Sequence, residues 1–383
     1  MHLRRKSRAA REEFGAKKEN HEVRVCEKRT KEPIHGQGTS AFSLVFFFVS
    51  LELKAGLKAR AQELGFVACG VASVGPSWSA SRLEAWLSQG FEAGMGWMKR
   101  DDARQKRADI EKLFPGAKSV VALAFPYATH NEWDTEQMGG IARYARGLDY
   151  HDFLPARLRE LLAWLQSRTP CEGKVCVDTA PILEREWAVR AGLGWIGKNT
   201  LLMGREFGSY VLLGEIILDI ELPGDEAHLE EFCGTCTRCL DACPTNALVE
   251  PRVLDANRCI AYHTIENREL APRELREKFG EWAFGCDICQ QVCPWNEKAA
   301  RDGHFSPEPE LFSREEMPRL SEWIELEQAE FSRRLKGSPI KRAKRRGMRR
   351  NAARALKNQR DEARSETPER SGETPTGSRS SPS

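Results

Sequence analysis

Cys233-Gly234-Thr235-Cys236-Thr237-Arg238-Cys239-Leu240-Asp241-Ala242-Cys243-Pro244 decides how this chain is read. Its spacing, C-x2-C-x2-C-x3-C-P, wraps three corners of an iron–sulfur cubane, and the cysteine ahead of proline ligates a second cluster. Cys286-x2-Cys289-x3-Cys293-Pro294 repeats the end of that run without its leading cysteine. Cys259, 27 residues upstream, is the natural substitute. The count then closes at eight thiolates for two cubanes. Cys233, Cys236, Cys239 and Cys293 are expected to hold one [4Fe–4S] cluster, and Cys243, Cys259, Cys286 and Cys289 the other. Zinc sites use paired C-x2-C knuckles rather than three cysteines in a row followed by Cys-Pro. Disulfides would need an export route that the sequence does not display. Cys26, Cys69, Cys171 and Cys176 are left as free structural thiols.

A ferredoxin-type module needs only residues 226–300, yet the chain has 383 residues. Its longest purely apolar runs, Leu44–Val49 among them, are far short of the roughly 20 residues that cross a bilayer, so no membrane span is expected. The net charge of +3 hides an uneven distribution. Residues 1–40 carry eleven Lys/Arg against six Glu, and residues 331–358 carry twelve Lys/Arg and no acid. The acidic middle, residues 41–330, is left with 32 basic against 45 acidic side chains. An acidic body with one strongly basic segment suggests a polyanionic partner at one face.

Residues 1–48 read as a disordered extension, because about 40 mixed-charge residues precede the apolar run and a secretory signal would not. Leu51, Leu53, Leu57 and Leu64 fit a helix ended by Gly65. Phe66–Val74, Ser119–Phe125 and Tyr210–Ile220 read as strands. Leu154, Leu158, Leu161, Leu162 and Leu165 mark an amphipathic helix, and Leu183–Ala191 another. Helices alternating with strands over residues 50–225 indicate an α/β (α+β) domain. Residues 301–358 form a helical basic segment, and the Ser/Thr/Pro/Glu-rich tail from Gln359 reads as disordered.

Low-potential clusters carry single electrons and imply an acceptor, which a domain the size of 50–225 should hold. Asp178 follows the strand end Lys174–Val177 and precedes Leu183–Ala191, a favoured catalytic place in open α/β sheets. It could be a general acid if burial raised its pKa, or the N-cap of that helix. The glycine-rich stretch Gly192–Thr200 has the Gly-x4-Gly-Lys spacing of a phosphate loop, but Asn199 stands where Ser/Thr must hold magnesium. It reads as a loop approaching another cofactor, or as a simple turn.

Taken together, Asp178–Arg185, Ala191–Lys198, Cys233–Cys239, Cys259–Glu266 and Gly285–Asn296 resemble the epoxyqueuosine reductase family, with Arg143–Ala145 and Asp149–His151 as further matching segments. The likeness runs from about Leu51 to Asn358. It implies a cytoplasmic, monomeric oxidoreductase with cobalamin beside the two clusters, fed by an external low-potential electron donor. It implies reduction of epoxyqueuosine to queuosine at the wobble position of tRNA. The family's general acid matches Asp178. A cobalamin-contacting arginine matches Arg100 in Trp97-Met98-Lys99-Arg100, and Lys198 and Asp287 fall in cobalamin-proximal segments. The basic segment gains a substrate: Lys341, Arg342, Lys344, Arg345 and Arg346 are expected to meet the tRNA backbone, with a solvated helix face as the alternative. Longer relatives continue into a HEAT-like helical domain, which here gives way to the tail after about Asn358. A related cobalamin and iron–sulfur reductase, such as a reductive dehalogenase, and a non-catalytic ferredoxin-type carrier are the competing readings.

Overall fold

The computed structural model describes residues 41–130, 133–314 and 317–366. From Val45 onward the chain forms one compact unit.

The chain enters through helix α1 (Ala41–Glu63), strand β1 (Ala68–Ser73) and strand β2 (Ser119–Pro126). Helix α2 (Tyr150–Gln166), strand β3 (Gly173–Cys176), helix α3 (Glu184–Arg190) and strand β4 (Val211–Leu218) complete the first layer set. The four strands form one sheet in the order β1-β2-β4-β3, and all three pairings are antiparallel. Every residue of β2 is buried, as expected of a central strand apolar on both faces. On one face, Val71, Val121, Leu123, Phe125, Ile216 and Leu218 pack against Leu57 and Ala61 of α1 and the leucine stripe of α2. On the other, Val120, Ala122, Cys176 and Ile217 pack against Trp187 and Ala188 of α3.

The cysteine module lies on the sheet domain through a buried polar network. Ser209 N donates to Asn296 Oδ1 at 2.6 Å, and Asn296 Nδ2 donates to Ser209 Oγ at 3.0 Å and to Gln290 O at 2.8 Å. Gln290 Nε2 reaches Tyr127 Oη at 3.3 Å. Gly208, at φ +67°, must be glycine, because a Cβ there would stand 2.1 Å from Asn296 Oδ1.

Helix α4 (Lys344–Glu366) closes the fold over the module. Met348, Ala352 and Ala355 join Phe284, Leu320, Trp323 and Ile340 in a separate core. Asn351 Nδ2 donates to Thr264 O at 2.8 Å and to Ala283 O at 2.9 Å. Arg350 donates to Asn267 O, Glu269 O and His263 O, and Arg354 to Gly280 O and Trp282 O.

Three expectations change. Residues 41–49 belong to α1 rather than to an unstructured extension, since no Gly or Pro interrupts the helix before Leu51; residues 1–40 lie outside the described part. The helix α4 passes Gln359 and runs to Glu366, because good helix formers extend an already anchored helix. Gln359 itself donates to Glu136 O at 3.1 Å. The parallel-sheet rule invoked for Asp178 does not apply to an antiparallel sheet, so that residue must be judged by its surroundings.

Candidate active site and cluster centres

Asp178 sits two residues past β3, in the left-handed region at φ +50°. The turn is held from below: Asp178 N donates to Glu184 Oε1 at 2.6 Å. The N-cap position of α3 is Leu183, so Asp178 does not cap that helix. Its side chain is 53% exposed, and burial is therefore not what prepares it for proton transfer.

A histidine does that work. His151, on the first turn of α2, places Nε2 2.9 Å from Asp178 Oδ2 and Nδ1 2.7 Å from Asp149 Oδ1. Asp149 is the N-cap of α2 and also accepts from His151 N at 3.1 Å. The hydrogen bond to Asp149, then that to Asp178, lifts the His151 pKa to about 9. The raised value keeps the ring protonated at neutral pH, held between Asp149 and Asp178. Tyr150 stacks on it with ring centroids 4.1 Å apart. Burial, then the charge of Asp178, lifts Glu184 to about 7.

The basic segment begins at this site. Asp149 N donates to Gly337 O at 2.8 Å, which docks the chain just ahead of Pro339–Ala343 beside the histidine. Of the five basic residues expected to meet RNA, two are engaged within the protein. Arg342 grips Glu266 through Nε at 2.8 Å and Nη2 at 2.9 Å, and Arg345 donates to Leu326 O at 2.6 Å. Lys341, Lys344 and Arg346 are exposed and make no ion pair among the described residues. Lys344 and Arg346 lie on the first turn of α4, where the helix dipole adds to their positive potential.

Cys233, Cys236, Cys239 and Cys293 line one cavity of about 300 Å³, together with Phe232, Trp295 and Lys198. Burial, then Cys293 and Cys233, pushes the Cys239 thiol up to about 11. The other four gather likewise: burial and then Cys259 raise both Cys286 and Cys289, and Cys243 acts on Cys259 and Cys289. Close-set thiols in a low dielectric resist ionisation unless a cationic metal core compensates them, so both sets fit iron–sulfur clusters. Trp195, Phe232 and Trp295 pack edge to face around the first set, with centroids 5.1 to 6.2 Å apart.

The glycine-rich stretch is a tight hairpin, Trp195–Ile196 against Leu202–Met203. A Cβ at Gly194 would meet Met203 O at 2.0 Å, so its glycines serve strand packing rather than a phosphate. Lys198 Nζ donates to Gly234 O at 2.6 Å and Cys236 O at 3.0 Å, which ties the hairpin to the first cysteine loop. Asp287 is 1% exposed, and its Oδ2 accepts from Arg143 N at 2.7 Å. Both residues are turned toward protein, whereas Arg100 is exposed and only loosely paired with Asp102 at 3.5 Å.

Comparison with known proteins agrees with this geometry. Residues 232–296 match the 4Fe-4S double cluster binding domain, and residues 107–179 match "Epoxyqueuosine reductase QueG, DUF1730". An epoxyqueuosine reductase from Gloeobacter violaceus is 44% identical over 307 residues, covering 78% of this chain and 94% of that protein. The chain belongs to the epoxyqueuosine reductase family. A Synechocystis epoxyqueuosine reductase is also 44% identical, over 72% of this chain and 94% of its own length. Among solved structures, an epoxyqueuosine reductase with an epoxyqueuosine-modified tRNA-Tyr stem loop superposes at TM-score 0.73. It is 34% identical, over 82% of this chain and 83% of that one. Family membership makes the chain an oxidoreductase with two [4Fe–4S] clusters, and cobalamin is the family's further cofactor.

Sequence reasoning had matched Asp149–His151 to the family without seeing its work. Glu184 lies within the matching segment Asp178–Arg185, but its hold on the Asp178 turn is not legible there. An Asp at i and a His at i+2 at the start of a strong leucine stripe was the available signal for the first pair.

Proposed function

We propose that this chain reduces epoxyqueuosine to queuosine at the wobble position of tRNA, with Asp178 as the proton donor. The observation that carries the reading is the joining of an Asp149–His151–Asp178 array to the basic segment through Asp149 N and Gly337 O, 2.8 Å apart. A proton source and a polyanion-facing surface thus share one edge.

Removing an epoxide oxygen as water consumes two electrons and two protons. Bound cobalamin, charged by the clusters, would supply the electrons. The chain's own residues handle the protons. Asp178 protonates the oxygen released when the strained ring opens, which lowers the barrier set by a strongly basic alkoxide. His151 then passes its Nε2 proton to Asp178, which delivers it to the resulting hydroxyl so that the oxygen leaves as water, and Asp149 keeps the imidazolium oriented, as a carboxylate does for a catalytic histidine.

Cys233, Cys236, Cys239 and Cys293 would hold one cluster; Cys243, Cys259, Cys286 and Cys289 would hold the other. Arg100, exposed and only loosely paired with Asp102, would contact the corrinoid directly. Lys198 and Asp287 act one step removed, Lys198 by fixing the first cysteine loop and Asp287 by fixing the Arg143 turn. Lys341, Lys344 and Arg346 contact the tRNA backbone, while Arg342 and Arg345 shape the segment that presents them. The helices from Glu322 onward read as the start of a HEAT-like region, and the protein acts as a cytoplasmic monomer. Among the described residues no helix is long and apolar enough to cross a membrane.

The test is an anaerobic assay of the reconstituted protein on tRNA rich in epoxyqueuosine, with the nucleosides read by mass. Loss of 16 mass units from the modified nucleoside, the mass of the oxygen removed, is expected; an unchanged nucleoside with both clusters and corrinoid loaded would reject the reading.

A further inference from the structure

Glu215 is a charged residue type in a place made for an apolar one. It lies in the middle of β4 and is 0% exposed. Its register partners are Ala122 of β2 and Cys176 of β3. Alternation along the strand puts it on the same face as Ile217, which packs with Trp187 and Ala188 of α3. Neither of its carboxyl oxygens has a hydrogen-bond partner among the described residues.

An ionised carboxylate there would be unpaired in a low dielectric, a state that proteins avoid by taking up a proton. The titratable groups that face it are Glu184, at the start of α3, and the Cys176 thiol of β3; β2 offers Ala122. Burial, then Glu184, holds Glu215 well above the ordinary carboxylate range.

The surroundings give that proton a use. Glu184 accepts the Asp178 N–H at 2.6 Å and so pins the left-handed turn carrying the candidate proton donor. A carboxylate accepts such a bond more strongly than a neutral acid does. Two negative charges set against each other beneath α3 would force one of the pair to become neutral. We infer that Glu215 is the one that stays a neutral acid beneath α3, which leaves the negative charge on Glu184, the positioning residue that fixes the Asp178 turn. Cys176 links the layers, lying opposite Glu215 and two residues before Asp178.

The inference rests on the reading of Asp178 as proton donor, but its test does not depend on turnover alone. Infrared spectra of the holoprotein at neutral pH should contain the carbonyl band of a buried, protonated carboxyl group that disappears in Glu215→Gln. In the same spectra Glu184→Gln should leave that band in place. Glu215→Gln, neutral and of the same shape, should keep kcat and its pH profile within about twofold. Glu215→Leu, which cannot ionise and fills the space, should do the same, whereas Glu184→Gln, which weakens the bond to the Asp178 N–H, should lower kcat about tenfold with KM for tRNA unchanged. Absence of the protonated band, or a Glu184→Gln variant with native kcat and pH profile, overturns the assignment. If Glu215→Leu fails to fold, the infrared comparison of Glu215→Gln with the native protein decides alone. Full activity in Asp178→Asn would instead sink the proton-donor reading and leave the infrared result standing.

Discussion

Nε2 of His151 stands 2.9 Å from Oδ2 of Asp178, so the candidate acid shares its proton with a ring held charged by a second carboxylate. The His151 pKa is raised to about 9, from an ordinary value of 6.5. The sign follows from the direction: a raised histidine contributes stability that is complete below pH 6.5 and is lost as pH rises through about 9. Turnover should follow the same limb and fall through about pH 9. Histidine resonances followed by NMR should give a midpoint near 9 for His151 that drops in Asp149→Asn. A midpoint near 6.5 would remove the proton-sharing account.

Asp178→Asn keeps the shape of the side chain and removes its acid. Turnover on epoxyqueuosine-containing tRNA should fall about 10²-fold or more, the usual scale for general acid catalysis. Iron content and the corrinoid spectrum should be native. Turnover within threefold of native would take Asp178 out of the role.

The crossing of the two cysteine sets makes a prediction about single ligands. Fully loaded protein should contain about eight irons. Cys293→Ser should damage the cluster held by the early cysteines, although Cys293 lies in the late run, and spare that of Cys286 and Cys289. Electron paramagnetic resonance of the reduced protein can distinguish the two. Loss of the late cluster instead would reject the crossed assignment.

Salt dependence separates the basic residues from one another. Alanine at Lys341, Lys344 or Arg346 should reduce the salt slope of tRNA binding by about 1 each, as for a lost phosphate contact. Arg342→Ala should change it less, because that guanidinium is occupied by Glu266. Equal effects from all four would mean that Arg342 leaves its partner on binding.

Asn351→Ala removes the amide that serves Thr264 O and Ala283 O in a buried site. Two stranded carbonyls should cost about 2 to 6 kcal/mol, at about 1 to 3 kcal/mol for each buried group left without a partner. Denaturant unfolding of the reconstituted protein measures it, and a cost below about 0.5 kcal/mol would contradict the docking described for α4.

Local pattern carried much of this. The leucines of α2 and the apolar run of β2 reported their elements because burial on one face or both leaves a period in the sequence. The cysteine spacing reported a metal centre because thiolates around a cubane must recur at fixed intervals. What stayed hidden was long-range. Nothing in the chain near Asp178 announces His151, 27 residues earlier, or Glu215 on a neighbouring strand. The glycines of Gly192–Gly197 read as a cofactor loop or a simple turn, and the close approach of Gly194 to Met203 O is visible only in the folded chain. Lys198 and Asp287 lie in segments that resemble cobalamin-proximal ones, but which way they turn depends on partners distant in sequence.

Helix α4 has one further consequence. Arg350, Asn351 and Arg354 fasten it to carbonyls of the module that holds the cysteines, while Lys344 and Arg346 begin the same helix. A molecule that has lost its metal loosens the floor on which that helix rests. The cysteine module and the basic start of α4 thus form one mechanical unit, and a change in the first would reach the second through three side chains.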